Sequence, residues 1–520
     1  MGYKVLSMKN INRIFVELFL VIIASLSAAY FFFHLDKNFI YVNNYFPWDS
    51  IEYLKVLKNY ESNISIYKVG SPFNERILFP FFVYKISLIF KLQYINACLF
   101  LNLFSSIISF LILFIISIRI NISILARWSF FIFFMCSWEG PLRTSLYYSA
   151  STLGFDCLLI SIIVLFGYLY FEKKNIFNQI LLFIIFFIFT FQRGLVILLI
   201  PLTYLFLKFF TRRFTTLKSH YNIFNDTFFY CFIFSLFAYL LLKFFSISEG
   251  SYSLLKTIIK YSYFRLHPLE FFYTYFLALG PVFLVLISYF FFLNKVKINY
   301  LFKKIINKNI YLFFFSIFIT SVIISTIGGD DSNRFLLWYF VIYFLFGCFC
   351  LDYFLNINKK FTLVFIFIVG FFWSRLFIPS QPPLAFAEKF IFNQYVGTNY
   401  DEKFYYGVNF FKKFKNKLYK DRIVLGDPFN LEKTEQYQDI FVTESFLDPK
   451  YYHFYYQKPY KYQINNIPFP LGYLHNQRDA LVDHPTFGEF WVRLFYMLQW
   501  IMLTILFIFC LKKKIFRNKS

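Results

Sequence analysis

Long apolar runs, separated by short polar connections, make up most of this chain. Several runs reach about 20 residues, the length that an α-helix needs to cross a hydrocarbon core of roughly 30 Å. We predict spans at 14–34, 77–91, 95–118, 124–138, 150–171, 176–191, 194–210, 227–247, 271–293, 310–327, 334–354, 361–378 and 490–511. The pattern therefore predicts an all-α polytopic transmembrane bundle of about 11–13 helices.

The polar stretches divide the chain into three parts. Residues 1–378 form the helical module, which includes a first polar loop at 35–76. Residues 379–489 mix short apolar runs with turn residues, which indicates a small external domain of α/β type or a set of loops. Residues 490–520 form a final helix and a basic tail. The first apolar run lacks a small-residue cleavage site, so we expect it to be retained as a span.

Composition and charge support a membrane protein. The 520 residues are 59% hydrophobic and only 15% charged, which is too little charge for an ordinary soluble protein of this size. The net charge of +24 comes from basic clusters beside the apolar runs. This pattern indicates that the clusters lie in cytoplasmic loops and contact anionic lipid, and it argues against nucleic-acid binding. The clusters are Lys4 to Arg13, Lys173-Lys174, Arg212-Arg213, Lys295 to Lys308, Lys359-Lys360 and Lys512 to Lys519.

These clusters predict a multi-pass protein of the inner (plasma) membrane with both termini in the cytoplasm and 379–489 outside. One conflict remains at this stage. Four spans between residues 77 and 171 would place Lys173 and Lys174 outside, against the charge rule. Either 77–91 or 124–138 must therefore fail to cross.

Two short segments, 176–191 and 194–210, are joined by Gln192-Arg193-Gly194. A charged residue at the apex of such a hairpin indicates a water-filled or protein-lined cavity that is reached from outside. The seven Cys residues all fall in hydrophobic stretches and form no CxxC motif, so we expect neither a disulfide framework nor a zinc site.

Several acids and arginines fall on the predicted outer side. Arginine is informative here because the inner loops use Lys freely, and only Arg offers a rigid fork that binds phosphate oxygens bidentately. The alternative is that each Arg pairs with a local acid, for example Arg76 with Glu75. The candidate phosphate-binding residues are Arg76, Arg193 and Arg334, and the candidate acids are Asp49, Glu52, Asp156, Asp330 and Asp331.

Asp49 precedes a predicted short helix from Ser50 to Lys58. It either caps this helix or acts, with Glu52 nearby, as the general base that activates an acceptor. Arg76 opens the next apolar run, where it holds a phosphate or anchors the interface.

A late loop, Gly328-Gly329-Asp330-Asp331-Ser332-Asn333-Arg334, is either a polar hairpin or a ligand site. Its two aspartates could hold a divalent cation such as Mg²⁺ or Mn²⁺, and Arg334 could hold a phosphate. Whether the protein uses a metal stays open at this stage.

These pieces resemble bacterial GT-C-type membrane glycosyltransferases, and among them relatives assigned to cell-surface glycopolymer formation. The shared features are an outer loop with an early Asp, a Pro-Phe-x-x-Arg-Ile-Leu-x-Pro stretch, an Asp opening a later span, a late Gly-x-Asp-x-x-x-Arg loop and a charged residue ending the sixth span. The matching residues are Asp49, Pro72, Phe73, Arg76, Ile77, Leu78, Pro80, Asp156, Arg193, Gly328, Asp330 and Arg334.

The resemblance implies a transferase that uses a polyprenyl-phosphate-linked sugar as donor and a glycan, lipid or protein as acceptor. Asp49 would be the catalytic or metal-associated carboxylate, and the outer arginines would hold the donor phosphate. The chain departs from the pattern where many relatives carry paired first-loop acids, since here Ser50 and Ile51 follow Asp49. Alternative functions are a polysaccharide polymerase or ligase and a flippase for lipid-linked glycans.

Overall fold

The computed structural model describes residues 8–31, 50–62, 69, 73–136, 140–142, 145, 150–214, 223–245, 275, 279, 281–292, 309–327 and 332–373. No strand occurs in this part of the chain. The predicted external domain 379–489 and the last span 490–511 lie outside the described residues. The α-helices are α1 Met8–Phe31, α2 Ser50–Ser62, α3 Leu78–Phe90, α4 Tyr94–Arg119, α5 Ile124–Cys136, α6 Leu153–Glu172, α7 Ile176–Phe214, α8 Thr227–Phe245, α9 Pro281–Phe292, α10 Asn309–Ile327, α11 Ser332–Trp338 and α12 Phe340–Trp373.

Six of these helices are long and apolar enough to cross a membrane: α4, α6, α7, α8, α10 and α12. Two shorter apolar helical stretches, Ile14–Tyr30 and Leu78–Phe90, accompany them. The described structure is thus a helical bundle of the multi-pass membrane type, as the hydropathy pattern predicts.

The bundle has two distinct ends. At one end, which we call the basic end, Arg119 at the close of α4 pairs with Glu172 at the close of α6, with 2.6 Å between Nη1 and Oε2. Lys173 and Lys174 follow directly in the chain. At the other end, which we call the polar end, α6 begins, and Asn102 of α4 accepts a hydrogen bond from the backbone N–H of Phe155 at 3.2 Å. Helices α4 and α6 therefore run in the same direction between these ends.

Helix α7 is a hairpin whose backbone leaves helical geometry at Arg193, with φ -140° and ψ 57°. Gln179 in its first half donates to Thr227 Oγ1 at 2.6 Å, and the ring of Tyr204 in its second half lies 4.4 Å from that of Phe228. A straight helix would separate residues 179 and 204 by about 37 Å, too far to reach two consecutive residues. The chain therefore folds back at Arg193, which confirms the predicted apex.

Helix α3 has both of its ends at the polar end. Its second residue, Phe79, packs against Phe155 with ring centroids 5.7 Å apart. A three-residue turn then leads from α3 to Tyr94, the first residue of α4. Tyr94 lies about 12 Å from Asn102 along α4, on the side away from the basic end. The segment predicted at 77–91 is therefore the one that fails to cross.

Helix α5 runs from the basic end toward the polar end. The backbone N–H of Ser123, just before its start, donates to Asp352, and Phe134 near its close packs on Phe340 with ring centroids 5.7 Å apart. Since α3 stays at the polar end and α4 and α6 both run from there to the basic end, Lys173 and Lys174 share the basic end with Lys359 and Lys360, which follow Asp352 on α12. The conflict found in the sequence thereby disappears.

Aromatic side chains fill the bundle interior. The ring of Phe228 on α8 lies 5.7 Å from Phe171 and 5.1 Å from Phe313, which belong to α6 and α10. Gly167 is required at this junction because a Cβ there would lie 2.2 Å from the Phe313 ring. Packing of this density fixes the helix directions on which the polar end depends.

Candidate functional site

The first loop supplies one wall of the polar end. Helix α2 begins at Ser50, as predicted, and buries Tyr53 in its first turn. Arg76 donates from Nη1 to the Tyr53 hydroxyl at 3.2 Å, and its guanidinium lies 4.8 Å from the ring centroid of Phe73. The start of α2 is therefore held beside Arg76. Asp49 lies immediately before this helix in sequence and outside the described residues.

Glu52 and Glu75 of this loop have cationic partners. Glu52 accepts from Lys55 Nζ at 2.7 Å, one turn along α2. Glu75 pairs with Lys243 near the close of α8, so it fastens the first loop to the bundle. The expected local pairing of Glu75 with Arg76 did not predict this contact with a distant helix.

The hairpin apex is joined to the residues that follow Arg76. The backbone N–H of Ile77 donates to the carbonyl O of Phe191 at 3.0 Å. The buried side chain of Gln192 accepts from the backbone N–H of Phe79 at 2.9 Å. These two bonds place Arg76 beside the apex of the hairpin.

A buried ion pair lies beneath the apex. Arg193 Nη2 contacts Asp156 Oδ2 and donates to Thr152 Oγ1 at 2.7 Å, and this hydroxyl donates to Asp156 Oδ2 at 2.7 Å. Gln192 Nε2 completes the set at 3.3 Å from Asp156 Oδ1. Only 6% of the Arg193 side chain and 2% of the Asp156 side chain are exposed. Two charges buried this deeply persist only when they are paired and hydrogen-bonded.

Helix α11 brings a third part of the chain to this pair. The Arg193 guanidinium lies 4.0 Å from the ring centroid of Trp338, in cation–π contact. Arg334 lies one helical turn before Trp338 on the same short helix. The Arg334 side chain and residues 328–331, including Asp330 and Asp331, lie outside the described residues.

The polar end thus gathers segments that are far apart in sequence: Arg76, Asp156, Arg193 and the helix that carries Arg334. Sequence reasoning did not predict the contacts of Thr152, Gln192 and Trp338, although it placed Gln192 at the apex. For Thr152 a signal existed, because it precedes Asp156 by four residues and so faces the same side of a helix. The contacts of the other two follow only from the tertiary structure.

The candidate metal ligands stay a prediction. Among the described residues, no group of three or more His, Cys, Asp or Glu side chains is placed to hold a metal ion. Asp156 is engaged by Arg193, Thr152 and Gln192.

No protein-family model, curated protein or solved structure matches this chain. The likeness to GT-C-type enzymes therefore rests on the motif residues alone.

Proposed function

We propose that this protein is a membrane glycosyltransferase that moves a sugar from a polyprenyl-phosphate donor to a glycan, lipid or protein acceptor at the outer face of the membrane. The observation that carries the proposal is the convergence of Arg76, Arg193 and the Arg334-bearing helix at one end of the bundle. That end is opposite the described basic clusters, so the positive-inside rule assigns it to the outer side.

The proposed reaction uses this arrangement as follows. The acceptor hydroxyl or amide attacks the anomeric carbon of the donor sugar as the bond from that carbon to the phosphate oxygen breaks. Asp49 takes the acceptor proton, and the electron pair leaves with the polyprenyl phosphate. Arg76 and Arg334 stabilise the negative charge that grows on the leaving phosphate. Tyr53 keeps the Arg76 guanidinium next to the helix that Asp49 precedes.

Buried Arg193 has a different part in this proposal from that of Arg76. Its Nη2 is committed to Asp156 and Thr152. The pair therefore orients Arg193 and, through cation–π contact, the helix that carries Arg334.

The proposal is tested by comparing surface glycans and lipid-linked sugars in cells that lack the gene and carry wild-type, Asp49→Asn or Glu61→Gln protein. Glu61 is an exposed acid at the far end of the same helix, where it pairs with Lys58, and so serves as the matched control. We expect loss of one sugar or glycopolymer in the deletion, rescue by Glu61→Gln, and no rescue by Asp49→Asn at equal membrane levels. Full rescue by Asp49→Asn would remove the proposed base, and altered chain length instead of a lost sugar would indicate a polymerase or ligase.

A further inference from the structure

Besides both side-chain polar atoms of Asn74, three buried polar groups at the polar end have no hydrogen-bond partner among the described residues: Arg193 Nε, Trp338 Nε1 and the Tyr339 hydroxyl. Their residues are 7%, 3% and 0% exposed. Unpaired buried groups are rare in native proteins, because each leaves its desolvation penalty uncompensated. Three in adjoining side chains therefore need a common explanation.

Two of the three groups are in contact, and the third belongs to the neighbouring residue. The Arg193 guanidinium lies 4.0 Å from the centre of the Trp338 ring, which places its Nε–H beside the indole. Tyr339 is the next residue along the chain and is fully buried as well. The anchor of this cluster is rigid, since Arg193 is also held by Asp156 and Thr152.

The chemistry of the cluster selects an acceptor as its ligand. The guanidinium Nε–H and the indole N–H can only donate, and the phenol can donate as well. A single water oxygen accepts two hydrogen bonds, whereas the non-bridging oxygens of a phosphate can accept all three. The positive charge of Arg193 favours an anion further.

We propose that Arg193 Nε, Trp338 Nε1 and Tyr339 Oη form a binding site for the phosphate oxygens of a polyprenyl phosphate. The assignment of the lipid as the carrier rests on the proposed glycosyltransferase function. Trp338 and Tyr339 are thereby ligand-binding residues that the motif resemblance does not include. Arg334, one turn earlier on α11, lies on the same short segment.

The test compares two tyrosines one helical turn apart. Tyr339 and Tyr343 are both fully buried, yet the Tyr343 hydroxyl is hydrogen-bonded to Ser321 at 2.6 Å, whereas the Tyr339 hydroxyl has no partner in the described part of the chain. Purified wild-type, Tyr339→Phe and Tyr343→Phe proteins are titrated with undecaprenyl phosphate, with undecaprenol as the uncharged lipid, and with inorganic phosphate. The Kd is obtained from the rise of the unfolding midpoint with probe concentration.

Without a probe, we expect Tyr339→Phe to be at least as stable as wild type, since it removes an unpaired hydroxyl, and Tyr343→Phe to be less stable. With undecaprenyl phosphate, Tyr339→Phe should bind about tenfold more weakly than wild type, and Tyr343→Phe should bind like wild type. Trp338→Phe, which keeps a stacked ring without the N–H, should weaken binding in the same way.

Equal binding of undecaprenol and its phosphate, or unchanged affinity in Tyr339→Phe, would overturn the site. Equal affinity for inorganic phosphate would assign the ligand to free phosphate instead of a lipid headgroup. The outcome is separable from that of the proposed function. Phosphate binding that depends on Tyr339, together with full glycan rescue by Asp49→Asn, would keep the site and reject the transferase mechanism.

Discussion

The side-chain amide of Gln192 accepts a hydrogen bond at 2.9 Å from the backbone N–H of Phe79, 113 positions earlier in the chain. Phe79 is the second residue of α3, where backbone N–H groups have no partner within the helix, and Ile77 provides no side-chain cap. The same amide donates to Asp156. Gln192 therefore links the first loop to the buried ion pair.

Replacing Gln192 by Leu should break both of these bonds. The Phe79 N–H would be left buried and unpaired, so we expect the free energy of unfolding to fall by about 2–3 kcal/mol. Hydrogen exchange at residues 77–79 should speed up as well. The matched control is Gln179→Leu, which removes one half-buried bond to Thr227 at the basic end and should cost about 1 kcal/mol. Equal exchange at 77–79 in the two variants would show that Gln192 does not hold the loop.

Removing the acid of either buried ion pair should destabilise the protein by about 3–5 kcal/mol, because a guanidinium is left buried without its counter-charge. The pairs are Asp156 with Arg193 at the polar end and Glu17 with Arg127 at the basic end, the latter 9% and 7% exposed. We therefore expect Asp156→Asn and Glu17→Gln to lower the midpoint of thermal unfolding by similar amounts.

Their effects on function should differ. At equal membrane levels, Asp156→Asn should reduce the surface glycan, since it frees Arg193 and the helix that carries Arg334, whereas Glu17→Gln should not. A glycan loss of the same size in both variants would mean that stability alone explains the effect.

Cysteine labelling can test the placement of α3. The described native cysteines, at 98, 157, 231, 348 and 350, are buried, so background labelling by an impermeant maleimide should be low. We expect Lys58→Cys on α2 and Lys91→Cys at the close of α3 to be labelled from one side of the membrane. Lys174→Cys and Lys360→Cys should be labelled from the other side only. Labelling of positions 58 and 91 from opposite sides would mean that α3 crosses.

The sequence predicted the helices well where a local pattern decides them. Apolar runs of about 20 residues can satisfy their backbone groups in a membrane only as helices, so α4, α6, α8 and α10 follow closely from hydropathy. The break at Arg193 was also foreseeable, because Gln192 and Arg193 interrupt two runs that are each short. The sharp bend at Asn358 likewise falls just before Lys359-Lys360, and there Thr362 Oγ1 donates to the carbonyl O of Phe354 at 3.2 Å.

Hydropathy alone did not decide the fate of 77–91. An apolar helix of 13 residues can cross incompletely or lie at one end of a bundle, and composition is the same in both cases. The contacts of Phe79 with Phe155 and Gln192 decide between them. These are long-range contacts, which depend on how the other helices pack and not on the local sequence.

The chain by itself therefore determined a helical membrane bundle, its hairpin apex and the set of charged residues available for chemistry. Only the tertiary structure decided their partners: Asp156 for Arg193, Lys243 for Glu75, and the Trp338 ring for the Arg193 guanidinium. The reason is physical. Helix formation in an apolar medium depends on neighbouring residues, whereas a buried charge takes whichever partner the packing of distant helices brings within hydrogen-bonding distance.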